Sequence, residues 1–372
     1  MHILVGFGYF PGTTGLHLQA AFAKQHQVTY VGTSWAAHHQ PGFAPNVDLA
    51  ALVARLDTPP DLFVYIDSGN VAYAPVGLEK LPCPTAAYLI DAYPPHTGLI
   101  NKFRLRLAPL FDYVFVAHRG CEALYSSWRS DLPVHWLPLA CDPEIHRDHQ
   151  LERIYDIGFV GQVNASYPNR VRALKALSAR YRLNDYSRPY YMEEMARIYS
   201  ESKIVFNITL QGLLNCRIFE APPCGALLLT EHSDHNGQGE LFTEGEHFVT
   251  FRDVDDLIQK VDYYLAHVEE REKIARAGQA HVLQHHTYAN RVQTLLDVIA
   301  ADGTRLRAPV RSWTNSQRTR HYLELHSQLR LIDAVMDQRW QEVPGRYRLT
   351  KQARQGYYAL TALLRRIKHQ WR

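Results

Sequence analysis

From its first residues the chain sets short apolar runs between amphipathic stretches. Ile3–Val5 reads as a strand. Leu16 to about His26 reads as a helix with Leu16, Leu18, Ala20, Ala21 and Phe22 on its apolar side, and Val28–Val31 as a second strand. Further runs at Leu62–Ile66, Ala86–Ile90, Tyr113–Val116 and Val134–Leu137 alternate with helical spacers such as Leu99–Leu107 and Cys121–Trp128. Strands that alternate with helices predict a parallel sheet with crossover connections. Pro138–Arg153 reads as a linker, after which the alternation resumes. A strand at Tyr155–Gln162 ends in glycine, Arg170 opens a helix at Val171–Ala179, and a strand is expected near Tyr181–Leu183. Helix Met192–Ser200 and strand Ile204–Ile208 follow. Leu241–Phe251 reads as loop and strand, and helices are expected at Asp255–Ala266, Glu269–Gln284 and Asn290–Ala300. The pattern predicts an α/β fold in two units, residues 1–140 and 141–302, with a helical extension over 303–372.

Chemistry concentrates in one stretch, Asn215 to Glu231. Ile218, Phe219 and Ala221 make the apolar side of a helix that Pro222 and Pro223 keep short. Gly225 then stops it before the apolar run Ala226–Leu229, which suits a buried parallel strand. The start of that helix offers unpaired N–H groups to a phosphate, and Arg217 adds a planar fork of donors for a diphosphate. Glu220, one turn further on, is a carboxylate suited to a pair of ribose hydroxyls. Asn207 and the loop Thr209-Leu210-Gln211-Gly212 would border the same ligand, and Gly161 would let the backbone approach it. In the first unit the turn Gly6-Phe7-Gly8 through Gly15 lies between a first strand and a first helix, where α/β folds bind ligands. It is not a G-x-G-x-x-G, and no acidic residue closes the second strand, which argues against a dinucleotide site. Polar residues cap three strand ends: Asp67-Ser68, Asp91 with Tyr93 and His96, and His118-Arg119. Asp91 and His118 are the candidates there for a general base or an acceptor contact, against the plainer reading that each caps the next helix.

The stretch 215–231 resembles the N-x-R-x-F-E-A-x-x-C-G-A-x-L-L-T signature of the CgeB/YkvP-like glycosyltransferases, a branch of the GT-B superfamily. The "D-x-x-F-V-G" at Asp156–Gly161 and the "H-T-Y" at His286–Tyr288 extend the resemblance over roughly 155–300, and more loosely over 1–150. It implies two Rossmann-like domains facing a cleft, an N-terminal one for the acceptor and a C-terminal one for a nucleotide-diphosphate sugar. It implies donor contacts from Arg217, Glu220, Asn215, Gly161, Asn207, Gly212 and Gly8, and no metal or other cofactor. The family's first loop often has a histidine just beyond it, and His17 stands in that place. The acceptor, whether glycan, protein or small molecule, is not implied. Retaining relatives carry a second glutamate eight positions before the one matched by Glu220; here Gly212 stands there, which leaves the stereochemistry open. A non-catalytic sugar-nucleotide-binding or scaffolding protein of a surface or spore-coat assembly is the rival expectation.

Charge and cysteine usage refine this. Residues 303–372 carry fifteen Lys/Arg against four Asp/Glu, whereas the first 302 carry 25 against 33. A basic amphipathic end, with Tyr357, Tyr358, Leu360, Leu363, Leu364 and Ile367 on one side, suits an anionic membrane surface such as the inner face of the membrane, an acidic partner, or the acidic body itself. Nucleic-acid binding has no supporting motif. Five cysteines with no CxxC, no run of 18 apolar residues and a first segment that reads as a strand predict a cytoplasmic protein with reduced thiols. Asp253-Val254-Asp255 matches a metal-binding D-x-D but stands where acidic residues start a helix.

Overall fold

Successive residues of β1 (His2–Gly6) feed two different cores: Ile3 and Val5 pack with Leu18 and Phe22, whereas Leu4 packs with Phe63 and Tyr65. The same split runs through β3 (Leu62–Asp67), β4 (Thr85–Leu89) and β5 (Tyr113–Val116). A sheet covered on both faces is what continuous apolar strands require. The computed structural model describes residues 1–9, 12–32, 49–67, 75–97, 102–130, 132–165, 167–209 and 212–329. Ser68, Leu210, Gln211, the His96 side chain and the expected helix over Lys351–Trp371 lie outside these, as does the end of the one over Tyr322–Trp340.

With β2 (Gln27–Val31) and β6 (Val134–Trp136), the first sheet has the order β2-β1-β3-β4-β5-β6, parallel throughout. The order reverses between β1 and β3, and the loop after β1 therefore opens at the crevice where such sheets take ligands. The second sheet joins β7 (Tyr155–Gly158), β8 (Ser202–Asn207), β9 (Leu227–Glu231) and β10 (Val249–Phe251) in the order β10-β9-β8-β7, also parallel. The strand expected near Tyr181–Leu183 is reduced to one bridge between Leu183 and Ile157. Asn184 replaces the ladder: its side chain accepts from Phe159 N at 2.8 Å and donates to Phe159 O at 2.9 Å. Asp253 caps the helix Val254–Ala266 by accepting from Asp256 N at 2.9 Å, so the D-x-D is a helix start.

The two units share a core, since Val160, Leu214, Ile218 and Phe219 join the cluster of Ile3 and Val5. Two chain segments cross between them side by side: Cys141 N donates to His286 O, and Tyr288 N donates to Cys141 O, both at 2.9 Å. Thr287 caps the following helix Tyr288–Ala301 with a reciprocal bond to Asn290. Between the two units, Arg119 makes a two-pronged bond to Glu240 at 3.0 and 2.8 Å. Gly237 lies so near Trp136 that a Cβ would meet the indole at 2.7 Å.

Residues 302–325 return to the first domain. Asp112 is fully buried and receives them: one carboxylate oxygen accepts from Arg307 N, Ala308 N and Arg311 Nε at 2.6, 2.7 and 2.9 Å. The other accepts from Thr85 N and Oγ1 at 2.9 Å and from Arg311 Nη2 at 2.7 Å. Ala308, Val310, Tyr322 and Leu325 complete the outer core. For this part of the extension, the body of the protein is the partner.

Candidate active site

At the C-terminal ends of β7 and β8 two guanidinium groups share one corner. Arg217 lies over the Phe159 ring at 4.4 Å, and Arg170 lies over Tyr167 at 4.3 Å. Burial, then the neighbouring Arg217, lowers Arg170 to about 10, the mark of two like charges held together. The helix Arg217–Glu220 is only four residues long, so the phosphate-binding dipole expected at its start is slight and the arginines supply the positive field instead.

Arg217 itself is not a free fork. Nη1 donates to Asn207 Oδ1 at 2.7 Å, Nε donates to Tyr199 OH at 3.3 Å, and Nη2 donates to Val160 O. A Cβ on Gly161 would come within 2.6 Å of Nη2, so that glycine makes room for the arginine. Asn207 is likewise behind the arginine: fully buried, it also accepts from Asn215 Nδ2 and donates to Thr230 Oγ1, both at 2.9 Å. Asn215 Oδ1 is buried and unpartnered, as is Arg170 Nε. Gly212 has φ of +72° and its carbonyl accepts from Asn236 Nδ2 at 2.9 Å, and Gly8 is buried in the loop after β1.

Glu220 faces the segment that joins the two units. Its side chain is 16% exposed and lies 3.9 Å from His146 Nε2. Burial pushes its carboxyl up to about 7, against the pull of His17 and Arg217. His17 is buried, stacks on the Tyr288 ring at 5.3 Å, and presents Nδ1 to Asp142 Oδ2 at 3.1 Å. That bond from Nδ1–H leaves Nε2 as the basic nitrogen, the arrangement in which a carboxylate orients an imidazole. Burial opposes the Asp142 charge, but the bonds from His17 and Glu144 N hold it below the usual carboxylate range. Sequence reading named neither Asp142 nor His146, since both lie in what reads as a linker. Their signal was a polar Asp-Pro turn, which by itself says nothing of a site.

The other two base candidates fare differently. Asp91 is tied to Arg104 Nη2 at 3.2 Å, and the same guanidinium binds Asp67 through Nε. Burial brings His118 down to about 4, too weak a base for neutral pH, although its Nδ1 is unpartnered beneath the stacked Tyr93 ring. Among the described residues no group of three or more His, Cys, Asp or Glu could hold a metal ion.

Buried titratable groups give the fold a signed pH dependence. Burial lowers His118 to about 4 and His146 and His286 to about 3, so each takes up a proton on unfolding once pH falls below about 6.5. Glu220, raised by burial to about 7, and Asp67, raised to about 6, act in reverse and hold protons in the fold. Between pH 6.5 and 4.5, on the reference values, three histidines outweigh two carboxyls. The unfolded chain then binds more protons, and stability falls with pH by on the order of 1 kcal/mol per unit. Urea midpoints at pH 7.5 and 5 measure this; a midpoint that holds or rises at pH 5 contradicts it.

Comparison with solved structures decides the architecture. Anabaena HepE in complex with UDP-glucose matches with a TM-score of 0.54 at 14% identity, over 81% of this chain and 100% of that one. An alpha-glucosyltransferase in complex with UDP-glucose and DNA matches at 0.56 with 11% identity, over 81% and 99%. Sucrose-phosphate synthase from Thermosynechococcus elongatus matches at 0.54 with 12% identity, over 81% and 100%. The fold is GT-B. Within it, residues 149–297, which include Arg170, Arg217 and Glu220, match the family model described as glycosyl transferase-like. No curated protein matches the chain. No described helix of this GT-B chain is long and apolar enough to cross a membrane.

Proposed function

We propose that the protein is a CgeB/YkvP-like hexosyltransferase that moves a sugar from a uridine-diphosphate donor to an acceptor hydroxyl with inversion, by a scheme that calls on no metal ion. The observation that carries this reading is the corner where Arg170 stands beside Arg217, with Glu220 in the field of both Arg217 and the oriented His17 of the first domain. UDP-glucose in two of the structural neighbours supports the choice of donor. Glu220 accepts the ribose hydroxyls. The acceptor oxygen attacks the anomeric carbon, its proton passes to His17 Nε2, and the bond to the diphosphate breaks. The departing charge meets Arg170, with Arg217 behind it, in place of water. Gly212 supports inversion: it stands where retaining relatives carry their first glutamate, and its φ of +72° is one that side-chain-bearing residues avoid.

Thermal unfolding with UDP-, GDP-, TDP- and ADP-sugars tests the donor. A UDP-sugar at about 100 times its dissociation constant should add about 2.7 kcal/mol of stability. Glu220→Gln should cost the ribose contact about 1–3 kcal/mol, or roughly 5- to 150-fold in affinity. A shift with another base would correct the donor. No shift with any would leave the sugar-nucleotide fold as a scaffold without turnover.

A further inference from the structure

At the opposite end of the second sheet from the donor corner, where β7, β8 and β9 begin, lies a cavity of about 320 Å³. Its charged walls are Arg153, Lys203, Arg271 and Arg276 against Asp148 and Glu272, an excess of cations. The acids do not quench them all. Asp148 takes one nitrogen of Arg153 at 3.3 Å, and Glu272 is 3.5 Å from Arg276 but 3.9 Å from Arg271. Lys203 leans on Asp156 at 2.7 Å and keeps further ammonium hydrogens. Arg271, with a side chain only 9% exposed, donates Nη1 to Tyr264 O at 3.0 Å; burial lowers it, Glu272 opposes that fall and Arg153 adds to it. A desolvated guanidinium beside a second one, facing an open cavity, is completed by an anion.

We propose that this cavity is a second ligand site, one that takes a small phosphate-bearing molecule. The volume suits a ligand of that size, at the lower end of small-molecule pockets. Its wall is built closely. Gly225 has φ of +79°, and a Cβ there would come 2.6 Å from Arg153 Nη2 and 2.7 Å from Asp148 Oδ2, so only glycine leaves these groups in place. The wall is also fastened to the turn after Glu220: Arg153 Nη1 donates to Cys224 O at 3.2 Å, and Gln279 donates to Pro223 O at 2.9 Å.

Inorganic pyrophosphate, titrated into the full chain against sodium chloride of equal ionic strength, is the test. Binding is followed by calorimetry and thermal unfolding. The wild type should show a saturable shift beyond that of chloride. Arg276→Glu, an exposed change that leaves the core alone, should weaken it at least tenfold, and Arg271→Gln should abolish it. Arg170→Gln, at the donor corner, should leave it in place. A shift that survives Arg276→Glu but disappears in Arg170→Gln overturns the proposal, because the anion then sits at the donor corner. No shift beyond chloride overturns it as well.

Discussion

His17→Ala will lower kcat by about 100- to 10,000-fold, the range for removal of a positioned general base. The UDP-sugar dissociation constant should stay within about twofold, since such a base acts on the transition state and not on the bound donor. The geometry behind this is one hydrogen bond and one stacked ring. Asp142 fixes the imidazole through Nδ1, and Tyr288 fixes its plane, with an interplanar angle of 7°. Asp142→Asn tests the orienting role separately. It removes the charge beside Nδ1–H and keeps the side chain's shape, so kcat should fall while the donor dissociation constant holds. If His17→Ala weakens donor binding as much as it slows turnover, the histidine supports Glu220 and the hinge, and the base lies elsewhere.

Asp112→Ala will cost about 3–5 kcal/mol of stability, the loss expected when one partner of a buried ion pair is removed. Both oxygens of Asp112 are fully used, and its removal leaves Arg311 and the Arg307 and Ala308 amides without their acceptor. The loss should therefore be local before it is global. Residues 302–325 should become cleavable by protease at temperatures where the two sheets still hold. Arg311 keeps bonds to Leu81 O and Cys83 O at 3.0 and 3.1 Å, so the double variant Asp112→Ala/Arg311→Ala should lose less than the sum of the single changes. An Asp112→Ala protein that melts within a degree or two of wild type, with an intact segment, would refute this account.

What the sequence makes legible is periodic or local. Continuous apolar runs in β1, β3 and β4 mark strands buried on both faces, and Tyr113–Val116 and Met192–Ser200 appear in the structure with the bounds expected of them. Pro222, Pro223 and Gly225 mark a short helix and its stop, and the left-handed φ of Gly225 bears that out. What escapes is convergence. His17 and Asp142 are 125 positions apart, and no spacing rule joins them. Arg104 draws Asp67 and Asp91 into one bridge from a helix whose sequence shows only alternating charge. The docking of 302–325 turns on Asp112, a single acid between two strands that reads like any surface residue. Arg217 was found by its motif, but its engagement with Val160, Asn207 and Tyr199 is a fact of packing that the motif does not contain.

The paired crossing at Cys141 and His286–Tyr288 has a mechanical consequence. Two backbones tied edge to edge resist twisting and sliding more than bending, so any relative motion that the shared core permits would follow a door hinge and not a ball joint. Asp142 sits on the hinge pin itself, and Tyr288 on the neighbouring ply. The imidazole of His17 is thus gripped close to the axis, where a swing of the whole door displaces atoms least. On the proposed function, a swing about this crossing would part Arg119 from Glu240 and leave the bond between His17 and Asp142 in place.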